Sequence, residues 1–235
     1  MWQKIQHIDI MINRDFLSGL SSLVFPPVCK VCEKRLYESG EFVCRNCWER
    51  LVVADRDTLL RKKIPEHLDA VCSMYVFDEN MQKIIHALKY RKYQTLGFQL
   101  GKRLGLHLAE SPDYCERALL VPVPLHPVKL RERGYNQAER IAAGISSVLG
   151  IKVDSTLIYR RKNTVSQTKL DAVQRQANMA GAFFVKRIPA EAQQSWVILV
   201  DDVFTTGATM NAAAGELKAA GIPRIIGASV AVPLG

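Results

Sequence analysis

The chain predicts an α/β fold: a mostly parallel sheet flanked by helices, with a small metal-binding module at its N-terminal end. Three observations carry this. Apolar runs of strand length alternate with helix-periodic segments from about Leu68 to the C-terminus, as βα units require. Four cysteines before that region stand in two Cys-x2-Cys pairs. One apolar run, Val197–Val200, passes directly into Asp201-Asp202 and then a Thr-Thr-Gly-Ala-Thr cluster that opens an alanine-rich segment.

The 235 residues, 48% hydrophobic and 23% charged, suit one ordinary domain plus a small module and argue against a disordered chain. We divide them at about residue 60. The formal net charge of +9 and a pI near 9.3 favour phosphate-bearing partners. No apolar run approaches the roughly 20 residues that cross a bilayer. Residues Phe16–Cys29 lack charges but are broken by small residues and prolines and have no cleavage motif, so they do not read as a secretory leader. We expect an amphipathic helix near Ile8–Leu23, no membrane insertion and a cytoplasmic location.

Cys29, Cys32, Cys44 and Cys47, with eleven residues between the pairs, have the spacing of two knuckles that bring four thiolates to one zinc ion. Gly40 supplies the turn between them. Disulfides are disfavoured by the paired spacing and a reducing compartment, and iron–sulfur ligation is the competing use. Four protein ligands leave no open position, so this Zn2+ is structural. Cys72 and Cys115 read as buried thiols, and no metal is assigned to His7, His67, His86, His107 or His126.

Residues Asp55–Glu66 are polar and basic, helical or linking. Strands are expected at Ala70–Phe77, Ala118–Val123, Trp196–Val200 and Arg224–Val232, with a strand pair at Lys152–Tyr159 and Ala182–Lys186. Helices are expected at Asn80–Tyr90, Thr95–Ala109, Gln137–Leu149 (ended by Gly150) and Ala208–Ala220 (ended by Gly221).

The strand that ends on two acids follows from this architecture. Ligands of parallel sheets sit beyond the carboxyl ends of the strands, where Asp201 and Asp202 fall. The loop that follows has glycine for close backbone approach, threonine hydroxyls, and open amides at a helix start, all suited to a phosphate. Acids beside a phosphate cradle suit a phosphorylated sugar, whose vicinal hydroxyls donate to the carboxylates. The pattern lacks the Gly-Lys-Ser/Thr ending of a Walker loop and the GxGxxG of a dinucleotide turn. A second segment, Val121–Gln137 (VPVPLHPVKLRERGYNQ), leaves a strand as a proline-stiffened loop and delivers Lys129, Arg131 and Arg133 before a helix. Their charges suit phosphate oxygens.

VDDVFTTGAT resembles the phosphoribosyl-pyrophosphate motif of type I phosphoribosyltransferases. The resemblance implies that Asp201 and Asp202 bind the ribose hydroxyls and that Thr205, Thr206, Gly207, Ala208 and Thr209 wrap the 5-phosphate. It also implies that Lys129, Arg131 and Arg133 hold pyrophosphate with Mg2+. The ordered set of four cysteines, Leu88-Lys89-Tyr90, PVPLHPVKLRERGYNQ, Arg161-x2-Thr164-x2-Gln167, Arg175, Asn178 and VDDVFTTGAT resembles the ComF family, which includes the GntX proteins. The resemblance spans the chain from about Leu20. It implies a type I phosphoribosyltransferase-like fold and a part in natural transformation or use of external DNA, near a DNA translocation ATPase.

Two functions of different class follow. One is a phosphosugar-binding protein that handles single-stranded DNA; the other is a phosphoribosyltransferase acting on a small-molecule acceptor, with Asp202 facing the charge that develops at C1. The last expected strand ends close to Gly235, leaving little chain for a C-terminal hood over an acceptor, which weighs against the enzyme. Met81–Ala109 carries six Lys or Arg and no acid, and Arg160–Arg187 seven against one. We therefore expect Lys89, Arg91, Lys92, Arg160, Arg161 and Lys162 to line a groove for single-stranded DNA, with nearby aromatics stacking on bases. Phe98 and Phe183 are expected in the core.

Overall fold

A computed structural model describes residues 27–37, 40–55, 58, 63–90, 93–110, 118–161, 181–186, 188–189, 193 and 195–234. The expected helix at Ile8–Leu23, Cys115, and the stretch holding Thr164, Gln167, Arg175 and Asn178 lie outside these residues.

Five strands form one sheet: β1 (Ala70–Val76), β2 (Ala118–Pro122), β3 (Lys152–Val153), β6 (Trp196–Val203) and β7 (Arg224–Val232), in the order β1-β7-β6-β2-β3. All its pairings are parallel. A separate antiparallel hairpin joins β4 (Ile158–Arg160) to β5 (Phe183–Val185). The helices are α1 (Arg45–Glu49), α2 (Glu79–Ala87), α3 (Gln94–Leu108), α4 (Pro127–Arg133), α5 (Gln137–Leu149) and α6 (Ala208–Ala219).

The central strand explains the layers. Val197, Ile198, Leu199 and Val200 are all fully buried, which a strand with both faces covered requires. Ile198 and Val200 face a core built with α2, α3 and α5, whereas Val197 and Leu199 face a second core built with α6 and the hairpin. This is the period-2 alternation of a strand between two layers.

Local capping sets several helix ends. Asp78 accepts from the Met81 amide at the start of α2, and Asn136 accepts from the Ala138 amide at the start of α5. Gly150, at φ 69°, ends α5. Helices α3 and α5 cross with their backbones touching. Gly97, Gly101 and Gly105, spaced by four, lie on one face of α3. A Cβ added at Gly101 would lie 2.0 Å from the Ile141 carbonyl oxygen, and one added at Gly144 would lie 2.2 Å from that of Phe98.

Three expectations are corrected. Val121–Gln137 is not wholly a loop: Pro127 opens α4, and Gly134 at φ 73° closes it. The strand expected at Lys152–Tyr159 is divided. Lys152–Val153 joins the sheet beside β2, Asp154 Oδ1 then accepts from the Thr156 amide at 2.7 Å to form a turn, and Ile158–Arg160 starts the hairpin. Cys72 is partly rather than fully buried. Among the described residues, no helix is long and apolar enough to cross a membrane.

Candidate functional site

Strand β2 runs through α4 and α5 to the edge strand β3, while β6 runs through α6 to β7 on the other side. The chain thus diverges between the adjacent strands β2 and β6. Such a divergence opens a crevice at the carboxyl ends of the strands. Asp201 and Asp202 stand there on β6, opposite the segment that leaves β2.

Asp201 Oδ1 accepts from the Asp202 amide at 2.8 Å, and Asp202 Oδ1 accepts from the Val203 amide at 2.9 Å. Gln137, at the start of α5, donates through Nε2 to Asp202 Oδ2 at 3.3 Å. Its own Oε1 is buried without a partner. A buried acceptor of this kind beside two carboxylates is satisfied by a ligand that donates, such as a sugar hydroxyl. Burial first, and then the charge of Asp202, holds the Asp201 carboxyl well above the usual carboxylate range. The Asp202 amide and the Arg160 guanidinium act against that rise. Arg160 is itself half-buried; burial lowers its pKa and Asp201 raises it.

After Val203 the chain turns through Phe204, which is buried, and exposes Thr205 and Thr206. Gly207 has φ 73°, and a Cβ there would meet Phe204 Cζ at 2.6 Å and Pro65 Cγ at 2.7 Å. Only glycine fits this bend without strain. No side chain caps α6 through Gly207, although Thr206 Oγ1 lies 3.4 Å from the Ala208 amide. The start of α6 thus leaves its first amides without a side-chain cap through Gly207, beside the exposed Thr205 and Thr206 hydroxyls. A cavity of about 550 Å³ adjoins this turn, lined by Lys63–Glu66, Thr206, Ala208 and Asn211.

Across the crevice, α4 carries Lys129, Arg131 and Arg133. Arg131 is exposed, Arg133 is partly so, and Lys129 pairs with Glu132 at 3.6 Å. His126 caps α4, accepting from the Val128 amide through Nδ1 at 3.3 Å, and its Nε2 lies 3.1 Å from the Arg161 carbonyl. With Nδ1 accepting, Nε2 is the donor. Tyr135 donates to the Leu88 carbonyl, which ties the RGYNQ segment to Leu88-Lys89-Tyr90. Burial pushes the Tyr135 hydroxyl up to about 12, with Asp202 adding to the rise and Arg133 and Arg140 opposing it.

Of the six basic residues expected in a DNA groove, Lys89 and Arg161 are exposed. Arg160 is instead half-buried, with its guanidinium 5.5 Å from the Phe183 ring centre and its charge acting on Asp201. Arg91, Lys92 and Lys162 lie outside the described residues. Phe183 is buried as expected, and Phe98 is only partly so. The sequence reading did not assign Gln137 to the carboxylates. Its place after Asn136 in RGYNQ was visible, but its reach to Asp202 depends on the start of α5 meeting the end of β6.

The four cysteine sulfurs lie within 4.8 Å of one another, with Cys32 and Cys44 Sγ 3.8 Å apart. Tetrahedral zinc with Zn–S bonds of about 2.3 Å sets sulfur separations near 3.8 Å, so the donor set fits that ion. Cys29 Sγ accepts from the Cys44 amide at 3.3 Å and the Val31 amide at 3.5 Å. Burial pushes the Cys29 thiol up, but amide donors from Cys32, Cys44 and Val31 outweigh it and bring the value down to about 7. Gly40 takes φ 83° between the knuckles, as expected of the turn. The module docks on the sheet domain: the Arg103 guanidinium lies 4.2 Å from the Trp48 ring centre, and Phe42 meets Tyr93 edge to face at 5.2 Å.

No protein-family model matches the chain. It is 36% identical over 208 residues to competence protein F of Haemophilus influenzae, a match spanning 85% of this chain and 82% of that protein. It is 28% identical over 190 residues to competence protein ComFC of Bacillus subtilis, spanning 80% and 70%. It is also 29% identical over 133 residues to the DNA utilization protein YhgH of Escherichia coli K12, spanning 55% of this chain and 57% of YhgH.

Proposed function

The chain belongs to the ComF family of competence proteins, and from that premise we propose that it binds phosphoribosyl pyrophosphate at Asp201–Thr209 and takes part in handling imported single-stranded DNA in the cytoplasm. The observation that carries the ligand reading is the carboxylate pair joined to the Gly207 turn where β2 and β6 diverge. Asp201, Asp202 and the orphaned Gln137 Oε1 supply hydrogen-bonding capacity for vicinal ribose hydroxyls. Thr205, Thr206 and the first amides of α6 take the 5-phosphate, and Lys129, Arg131 and Arg133 face the pyrophosphate charge. Mg2+ would be carried by the pyrophosphate oxygens, neutralising their charge. The DNA reading is supported by the names of the relatives and the net charge of +9, and a DNA translocation ATPase is the partner the family implies.

The test is calorimetry with phosphoribosyl pyrophosphate and Mg2+, using ribose 5-phosphate and pyrophosphate as partial ligands, on the wild type and on Asp202→Asn. Tight binding of the whole ligand, weaker binding of each part and a loss in the variant are expected. No heat with the whole ligand, or an unaffected variant, would refute the assignment.

The second reading, an active phosphoribosyltransferase, is favoured by the place of Asp202, which Gln137 holds where β2 and β6 diverge. An acceptor attacking C1 would displace pyrophosphate, with Asp202 facing the charge that develops. Pyrophosphate release that depends on an added acceptor distinguishes this reading from binding alone.

A further inference from the structure

The β4–β5 hairpin has two unlike faces. Register pairs Ile158 with Val185 and Arg160 with Phe183, and Ile158 and Phe183 are buried in the core with α6. Tyr159 and Phe184 pair between them and so occupy the opposite face, where both are partly exposed. Their rings stack, with centroids 5.3 Å apart and planes inclined by 24°. A cation stands against each ring: Arg161 lies 4.5 Å from the Phe184 centroid, and Lys186 lies 6.0 Å from that of Tyr159. Arg161 and Lys186 are exposed. The outer face thus carries two aromatic rings flanked by two positive charges.

This face adjoins more positive charge. The contact between His126 Nε2 and the Arg161 carbonyl joins it to α4, which bears Lys129, Arg131 and Arg133. Glu132 lies among them and pairs with Lys129. Stacked rings attended by exposed cations match an unpaired base and the phosphates on either side of it. A duplex hides its base faces in the stack and offers phosphates and groove edges instead.

We infer that the outer face of the β4–β5 hairpin, through Tyr159, Phe184, Arg161 and Lys186, is a stacking platform for single-stranded DNA. This rests on the DNA-handling half of the proposed function and is independent of the phosphosugar half. The platform would occupy the outer face of β4, on which Tyr159 lies, opposite the face that Arg160 shares with Ile158 and the buried Phe183.

The test is fluorescence anisotropy of a labelled oligothymidine and a labelled duplex, titrated with the full chain as wild type, Phe184→Leu, Tyr159→Leu and Arg161→Gln. Leucine retains apolar bulk on the hairpin and removes the ring. Each ring variant is expected to bind the single strand roughly 5- to 150-fold more weakly. Its affinity for phosphoribosyl pyrophosphate, read by calorimetry, should stay at the wild-type value. Arg161→Gln should lower the log–log salt slope by about 0.7. Ring variants that bind as tightly as the wild type, or equal affinity for duplex and single strand, overturn the inference. A wild type that binds the phosphosugar and no DNA overturns it too and leaves the phosphosugar reading intact. DNA binding without phosphosugar binding sinks only that other reading. Photocrosslinking of a bromodeoxyuridine oligonucleotide to the wild-type chain needs no variant to fold: adducts at Tyr159 or Phe184 are expected, and adducts confined to other segments refute the platform.

Discussion

Replacing Gly207 with alanine separates backbone strain from crowding at the turn that opens α6. The left-handed conformation at φ 73° costs a residue with a Cβ about 1–2 kcal/mol. The new methyl would lie 2.6 Å from Phe204 Cζ and 2.7 Å from Pro65 Cγ, well inside normal contact. Phe204 is buried and cannot swing into solvent, so overpacking adds about 1–3 kcal/mol. The stiffer unfolded chain returns about 0.4–1 kcal/mol, leaving a net destabilisation centred on about 3 kcal/mol. Gly150 supplies the control, since it has φ 69° but an added Cβ would meet nothing within 4 Å. Gly150→Ala should therefore cost about 1 kcal/mol, from strain alone. Urea denaturation reads both: with a slope near 3 kcal/mol/M, the Gly207 variant should lose about 1 M in midpoint and the Gly150 variant about 0.3 M. Equal losses would show that Phe204 and Pro65 do not crowd the turn. A Gly207 variant that unfolds earlier yet binds phosphoribosyl pyrophosphate unchanged would refute the turn's role in holding phosphate.

Other substitutions probe other parts of the molecule. Because the Asp201 carboxyl is held well above the usual range, the folded state keeps its proton more tightly than the unfolded chain does; the stability this supplies is full below about pH 4 and falls as pH rises through the elevated value. Asp201→Asn should accordingly raise the urea midpoint at neutral pH, with the gain vanishing toward about pH 4, while phosphosugar binding weakens; a lower midpoint at neutral pH would contradict the origin of the shift. Gly101→Ala drives a methyl into the Ile141 carbonyl and should cost at least about 3 kcal/mol, seen as an early thermal transition by circular dichroism. One zinc per chain is expected from elemental analysis. Its removal by chelation should lower thermal stability and change Trp48 fluorescence as the ring loses Arg103, and Cys47→Ser should do the same.

The features legible in the sequence are those set by neighbours in the chain. Helix α5 begins and ends where expected because Asn136 and Gly150 are local caps. The cysteine pairs were legible for the same reason, since each lies in one short local segment, Cys29–Cys32 at a turn and Cys44–Cys47 at the start of α1. Helix α4 was missed although Pro127 and Gly134 mark its ends; seven residues are too few for apolar periodicity to show. Arg160 defeated the reading in another way. A basic residue within a basic stretch looks exposed, and only the hairpin's pairing sets Arg160 beside the buried Phe183 on its core-facing side. The close crossing of α3 and α5 was not singled out, since four-residue glycine spacing in one helix acquires meaning only when a second backbone lies against it.

That crossing also has a mechanical consequence. Where two helices meet through side chains, rotamer changes can absorb a small displacement; where glycine lets backbone touch backbone, no such slack exists. Helix α5 carries Gln137 at one end, and α3 carries Arg103 against Trp48 of the cysteine module. The crossing thus links the carboxylate end of α5 to the cysteine-module side of α3 through backbone contact, with no layer of side chains between the two helices to deform.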